Sequence, residues 1–539
     1  MADFKLRDFH QAGRSPVIAA RGMAATSMPA ATLTAIEVLK SGGNALDAAI
    51  AAVAVLGVIE PQSTGIGGDC FCLYAPAGKG QVIAMNGSGR APAAATPEAL
   101  RARGVEKLSD TSAHVVTIPG AVSAWEALNA AHGRKGLDAL LQPAIRFAEE
   151  GFPVLARVAH DWEEASGKLA ANPAAARHYL KDGRAPRMGE TMRFPALART
   201  LRAIAKDGAR GFYEGEVAAD ITATLRAMGG LHTEEDFHAG LRGAEFVAPI
   251  SRRWQGMEIF ECPPNGSGLV ALMMLGLLEG FAVPEDPLSA LRLHRHIEAA
   301  RLAYRDRDAF VADPAQAEVP VARLLSDRYL HDLARNIHDD RAMRDLPMAG
   351  MEALLPAHAD TVYLCVVDED GNACSFINSL FKSFGSGILA EDSGVMLHNR
   401  GFGFTMQDGH PNQIAPRKRP MHTIIPGMAM KDGQAVMPFG VMGGHYQPTG
   451  QSWLLSNIFE YGMDPQAALD LPRIFAIDGK VEAERGIPGA VRARLDAMGH
   501  RTGLVDKPHG GGQAIMLDPS RGVLIAGSDP RKDGCAMGY

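Results

Sequence analysis

The stretch from His358 to Ala373, His-Ala-Asp-Thr-Val-Tyr-Leu-Cys-Val-Val-Asp-Glu-Asp-Gly-Asn-Ala, constrains the fold more than any other part of the chain. Val362, Tyr363, Val366 and Val367 suit a pleated strand, and Asp368 to Asn372 is a tight acidic turn. A second run, Ala373 to Phe381, returns the chain and completes a hairpin. With the loop at Asp368 to Asn372, Val367 pairs with Ala373. Antiparallel pairing carried back from there sets Thr361 directly opposite Ser379. Two hydroxyls then share one sheet face at the strand mouth. A slip of one residue would put Asn378 in place of Ser379, because side chains alternate between faces.

The composition excludes several classes of function. The chain has 539 residues, 47% hydrophobic and 21% charged, ample for a large core in one long unit or several domains. The net charge of −7 argues against a nucleic-acid partner. The longest basic run, Arg417-Lys418-Arg419, reads as a solvated loop. The most apolar run, Ala48 to Ile59, is about a dozen residues, too short for a bilayer and suited to a buried helix. Met1 to Ser15 is polar with no apolar leader core, so a cytoplasmic protein with no membrane partner is expected. The cysteines at 70, 72, 262, 365, 374 and 535 form no CxxC pair and read as free thiols, with Cys70 and Cys72 on one face of a strand. No HExxH or paired Cys/His spacing is present, so neither a metal nor a cofactor is expected.

Along the chain, a helix from about Pro29 to Lys40 ends at Gly42-Gly43. Asn44 can cap the next helix, with Asp47 in its first turn. Thr64 to Asp69 is glycine-rich but precedes a strand, Cys70 to Tyr74, and lacks Gly-Lys-Ser/Thr. A turn with close backbone packing is a better account of it than a phosphate loop. Gln81 to Met85 is a strand leading to Arg90, which could clamp a carboxylate or simply lie at the surface. Residues 121–228 are mostly helical. Val247 to Ile259 reads as paired strands, Leu269 to Leu278 and Leu291 to Tyr304 as helices, and Arg301 to Asp308 as a salt-bridged face. Asp339 to Asp360 loses its pattern and reads as flexible. Strands are expected at Met421 to Ile425, Gly427 to Met430 and Ala435 to Pro438. The loop Met442-Gly443-Gly444-His445 precedes a helix, Thr449 to Tyr461.

Elimination narrows the chemistry. There is no Gly-x-Ser-x-Gly elbow. Cys365 and Cys374 lie inside the apolar hairpin, a poor setting for a thiolate. His358, His398, His422 and His445 are scattered in loops. What remains is a threonine that opens a strand after a loosely patterned segment. That suits an N-terminal nucleophile: the hydroxyl attacks the preceding carbonyl, the chain is cut, and the freed α-amine becomes the base. A purely structural strand-edge threonine fits the periodicity as well.

Several stretches resemble the γ-glutamyltransferase (γ-glutamyltranspeptidase) family in residues, order and spacing, over nearly the whole chain. They are Gly42-Gly43-Asn44-Ala45-Leu46-Asp47-Ala48-Ala49, Gly67-Gly68-Asp69-Cys70-Phe71, Thr117-Ile118-Pro119-Gly120, Pro263-Pro264, Arg419-Pro420, Gly443-Gly444 and Ser528-Asp529-Pro530-Arg531. The resemblance implies an α+β fold, a four-layer αββα sandwich, made as one chain that cuts itself. The matching cut lies between Asp360 and Thr361. It would give a large subunit of residues 1–360 and a small one of 361–539, intertwined in one unit and compatible with a dimer of that heterodimer. Thr361 matches the family nucleophile, Ser379 a threonine that supports it, and Gly443 and Gly444 the oxyanion-hole glycines.

The departures are as informative. Arg400 and Gly403 stand where members that bind γ-glutamyl groups place an amide and an acid on the substrate α-amine. Ser88 replaces an arginine, with Arg90 two residues on. His422 and Thr423 replace a serine pair, and Phe381 replaces an asparagine. The lid, about Thr405 to Ala415, is shorter. An acid is lost and a guanidinium gained, so the expected substrate is a small amide, anionic near the scissile bond and without the glutamyl α-ammonium. Substrate contacts are expected at Arg90, Asn378, Phe381, Arg400, His422 and Thr423. The pattern is more like the family's amidohydrolase branches, such as oxamate amidohydrolase and cephalosporin or glutaryl acylases. A genuine γ-glutamyltransferase and an uncut binding homologue are the alternatives.

Overall fold

A computed structural model describes residues 13–346, 360–477 and 479–539, together with Phe4, Arg7 and His10. Most of the segment read as flexible, residues 347–359, lies outside the described residues.

Two seven-stranded antiparallel sheets face each other. In the first, the strands run from edge to edge as Cys535–Gly538, Met23–Thr26, Asp360–Val367, Ala373–Phe381, Asp69–Ala75, Ile83–Gly87 and Glu245–Val247. In the second, they run Val17–Ala19, Val523–Ser528, Gly511–Asp518, Gln434–Met442, Gly427–Lys431, Met257–Glu261 and Ile250–Trp254. The period of two sorts the hairpin between layers. Tyr363, Cys365, Val367, Ala373 and Ile377 pack against Met428, Met442, Ile515 and Leu524 of the opposite sheet. Val362, Leu364, Val366, Cys374 and Phe376 pack outward on helices Pro29–Lys40, Ala45–Ile59 and Ala121–His132. The second sheet turns Ile259, Ala429, Met437, Phe439 and Val441 to helices Gly268–Leu278 and Gln447–Phe459. The layers are therefore helix, sheet, sheet and helix, the expected αββα sandwich.

Helix Ala45–Ile59 is buried on nearly every side, and its alanines let the sheet approach closely. Its start is a capping box: the Asn44 side chain accepts from the Leu46 and Asp47 N–H groups, and Asp47 accepts from the Asn44 N–H. The glycine-rich loop before Cys70 is a close-approach element, because a Cβ on Gly67 would lie 2.1 Å from the Met396 carbonyl oxygen. All six cysteines are free thiols, and the strand Asp69–Ala75 keeps Cys70 and Cys72 on its helix-facing side. Among the described residues, no helix is long and apolar enough to cross a membrane.

Two expectations need correction. Met421 to Ile425 is not a strand; it makes a single parallel bridge, His422 to Gly266. Its backbone groups are taken by other partners: His422 N–H donates to Asn265 O, and Ile425 N–H donates to the Gln447 side chain. The helix begun at Leu291 also runs on through the charged cluster, as Ala290–Phe310. The charges pair there as Arg301–Glu298, Arg305–Asp306 and Arg307–Asp308.

Candidate active site

The hairpin holds the expected register from Val367 opposite Ala373 to Val362 opposite Asn378. It then shifts by one residue, so that Asp360 pairs with Phe381. A β-bulge therefore falls at Thr361, which meets Ser379 and Leu380 together where strict pairing predicted Ser379 alone. The hydroxyls still meet: Thr361 Oγ1 lies 3.0 Å from Ser379 Oγ, and both residues are fully buried. Phe381 N–H donates to Ser379 Oγ at 2.8 Å and fixes that rotamer. Phe381 has φ +79°, a strained value for a bulky residue.

Arg400 sits over this pair, wholly buried. One of its N–H groups donates to Thr423 Oγ1 at 2.9 Å, and another reaches Ser379 Oγ at 3.5 Å. Its guanidinium lies 4.0 Å from the Phe381 ring centre. Its Nε–H has no hydrogen-bond partner among the described residues. Burial lowers its pKa to about 9, against the pull of Asp69, so it remains a cation at neutral pH.

Asp69 is the buried counter-charge. It is the cross-strand neighbour of Ser379. One carboxylate oxygen accepts from Gly89 N–H and Gly120 N–H, the other from His422 Nε2 at 3.0 Å. Burial pushes this carboxyl up, but His398, the His422 hydrogen bond and Arg400 more than offset it, and it sits at about 2. Burial and then Arg400 hold His422 at about 3. Its Nδ1 accepts from Ile424 N–H, so the neutral ring carries its proton on Nε2, facing Asp69. His398 uses Nε2 on the Thr117 carbonyl and is likewise kept neutral by burial.

Gly443, with φ +117°, and Gly444 turn the chain into helix Gln447–Phe459. A Cβ at Gly443 would lie 2.8 Å from Gly510 Cα, so only glycine fits this approach. Thr361, Met442, Gly443, Tyr446 and Gly510 line one cavity of about 630 Å³, which brings the threonine and the glycine turn to a common space.

The family model for γ-glutamyltranspeptidase matches residues 31–539. The chain belongs to the γ-glutamyltranspeptidase family. It is 36% identical over 514 residues to the glutathione hydrolase-like YwrD proenzyme of Bacillus subtilis, covering 93% of this chain and 95% of that one. It is 34% identical over 537 residues to the oxamate amidohydrolase proenzyme of Klebsiella pneumoniae, covering 97% and 99%. The solved structure of cephalosporin acylase from Bacillus halodurans superposes with a TM-score of 0.92 at 39% identity, covering 99% of each chain. The fold is thus that of the N-terminal-nucleophile γ-glutamyltranspeptidases and acylases, and the chain is an enzyme of this amide-hydrolase and acyl-transfer family.

Within this family frame, the structure brings Thr361, Ser379, Phe381, Arg400 and Thr423 into one cluster, with His422 joined to it through Asp69. Two expected residues fall elsewhere. Asn378 lies on the opposite face of its strand from Ser379, as the period of two requires, and its amide donates to Thr64 Oγ1 and Gly65 O. Arg90 pairs with Glu245 at 2.9 Å and Asp313 at 3.5 Å and donates to the Arg417 carbonyl. Protein carboxylates therefore occupy the fork that the sequence offered to a substrate. Asp69 was not among the expected site residues, although the Gly67-Gly68-Asp69 motif contains it. Nor was His445, whose ring packs edge-on to Phe381 with centroids 6.2 Å apart. Arg307 donates to its Nδ1 at 3.0 Å, so its proton is on Nε2, where it has no partner among the described residues.

Proposed function

We propose that the chain is a self-processing amidohydrolase with Thr361 as nucleophile, acting on small amides whose acyl group carries a carboxylate and no α-ammonium. The observation that carries the substrate reading is Arg400: a buried cation that reaches Ser379, the partner of Thr361, with its Nε–H unpartnered among the described residues. It stands where a γ-glutamyl site would hold an amide, and Gly403 stands where that site would hold its acid. An α-ammonium would meet this guanidinium in low dielectric, whereas a carboxylate would complete its hydrogen bonding. The oxamate amidohydrolase relative, by its name, acts on an amide whose acyl group carries a carboxylate.

In the precursor, Thr361 Oγ1 attacks the Asp360 carbonyl carbon and the peptide shifts from nitrogen to oxygen. Water hydrolyses the resulting ester, leaving residues 1–360 and a chain of 179 residues (539 − 360) that begins with a free amine. That α-amine, with an ordinary pKa of about 8, accepts the Thr361 hydroxyl proton during attack on a substrate amide. It passes the proton to the departing amine, and water or a second amine then takes the acyl group from the threonine ester. Ser379 orients and polarises the Thr361 hydroxyl. Gly443 and Gly444 offer backbone N–H groups to the tetrahedral oxyanion.

The test is an amide panel of γ-glutamyl, glutaryl and oxamate substrates on processed protein and on Thr361→Ala. Turnover of a carboxylate-bearing acyl amide, absent in the variant, is expected. Efficient release of glutamate from a γ-glutamyl anilide would contradict the acyl specificity. A full-length band insensitive to Thr361→Ala would contradict the chemistry.

A further inference from the structure

Away from the Thr361 cluster, His294, Glu298 and His500 bring three ligand atoms within 4.8 Å of one another. His294 and Glu298 are four residues apart on helix Ala290–Phe310 and so share one face. His500 arrives from the turn that follows helix Gly489–Ala497, its own N–H anchored on Leu495 O. All three are buried, and His500 is the least enclosed, at 8% exposure.

His294 already holds the protonation of a metal ligand, whereas His500 must exchange its tautomer. His294 Nε2 faces the His338 carbonyl oxygen at 2.6 Å, which places its proton there and leaves the Nδ1 lone pair facing His500 Nε2 at 2.7 Å. Metal-binding histidines are oriented in this way, the far nitrogen donating to a backbone carbonyl. Glu298 accepts from Arg301 and from Met343 N–H, one on each oxygen, and each oxygen has a second lone pair. The cluster His160, Asp161 and Glu164 is more heavily neutralised, because Asp161 pairs with Arg157, Lys507 and Lys532 where Glu298 pairs with Arg301, and His160 and Glu164 are exposed.

We propose that His294 Nδ1, His500 Nε2 and a Glu298 carboxylate oxygen bind a divalent transition ion, with zinc the best match and water as the fourth ligand. Two imidazoles and a carboxylate suit zinc and are a poor set for magnesium or calcium. Tetrahedral zinc–nitrogen bonds would set the two nitrogens about 3.3 Å apart, so the His500 ring moves back by roughly 0.6 Å. Its proton passes from Nε2 to Nδ1, and the histidine pair releases none. The ion would join a helix of the proposed large subunit to a turn of the small one. The Met343 N–H on Glu298 and the Ala342 N–H on Met498 O dock the chain before residue 347 at the same place. Local spacing could not show this site, because His294 and His500 are 206 positions apart.

The test uses untagged full-length protein, stripped by a chelator and dialysed against zinc or cobalt. Elemental analysis should find about one zinc per chain, with a higher melting temperature than the stripped protein. His500→Gln and Glu298→Gln should each weaken zinc binding at least tenfold while circular dichroism is unchanged. The wild-type cobalt spectrum decides even if the variants fail to fold: intense visible bands of four-coordinate cobalt support the site. The weak spectrum of aqueous cobalt, the absence of saturable zinc, or equal binding by a folded His500→Gln would overturn it.

Discussion

Thr361 and Ser379 meet inside the protein, next to a guanidinium with an unused donor, and each of the three contributes in a different way. Replacing Thr361 by Ala should abolish self-cleavage and turnover, whereas Thr361→Ser, which keeps the hydroxyl, should retain both; a denaturing gel and an amide assay distinguish them. Ser379→Ala removes one neutral hydrogen bond to the attacking group. Its loss of kcat should be about fivefold, on the scale of the ~1 kcal/mol such a bond contributes. Arg400→Gln removes a charge-assisted contact of about 1.5–3 kcal/mol, so KM for a carboxylate-bearing amide should rise roughly 10- to 100-fold. Arg400→Lys should not restore it, since a point charge cannot reach both Thr423 and a substrate carboxylate. The Asp69–His422 pair should also appear in pH dependence. His422 has a folded pKa of about 3, below its unfolded value of about 6.5, so the unfolded chain binds its proton first as pH falls. Its contribution is fully present above pH ~6.5 and is lost progressively towards pH 3. The urea midpoint should therefore drop between pH 7 and pH 5, and His422→Gln should flatten that slope. An unchanged slope in the variant would remove His422 from the explanation.

At the scale of single elements, what the sequence showed was what neighbouring residues decide. The hairpin, its turn and its register as far as Val362 followed from β-branched residues and an acidic loop. The Asn44–Asp47 capping box followed from a polar residue ahead of an apolar run; Asn44→Ala should cost about 1 kcal/mol of stability in a denaturant melt. The close packing of the Gly65–Gly68 turn was also legible. Gly67→Ala would drive a Cβ into the Met396 carbonyl and should cost at least 1–3 kcal/mol, with soluble yield and melting temperature both falling. The bulge at Thr361 was not legible, because it depends on Phe381 adopting a positive φ beside Ser379. Asn378 could share the Thr361 face only with a slipped register, and the register seen puts it on the other face, bonded to Thr64 and Gly65. Met421 to Ile425 has a strand's composition, but side chains and a loop take its backbone hydrogen bonds. Asp69 and His422 are 353 positions apart, and only the folded sheet brings them together.

At the scale of the whole molecule, the proposed cut falls in the middle of the structure. The strands Asp360–Val367 and Ala373–Phe381 lie between Met23–Thr26 and Asp69–Ala75 of the other fragment, so the pieces share one sheet and one core. After cleavage they should co-elute as one particle in size-exclusion chromatography and separate only under denaturing conditions. Thr361 is proposed first as the site of cleavage and then as the nucleophile, and intact-mass spectrometry of the purified protein reads out both. The expected result is a fragment beginning at Thr361 that gains one acyl mass during incubation with a carboxylate-bearing amide, and an uncut, unmodified chain for Thr361→Ala. A cut at any other bond, or an acyl mass on any residue but Thr361, would contradict it.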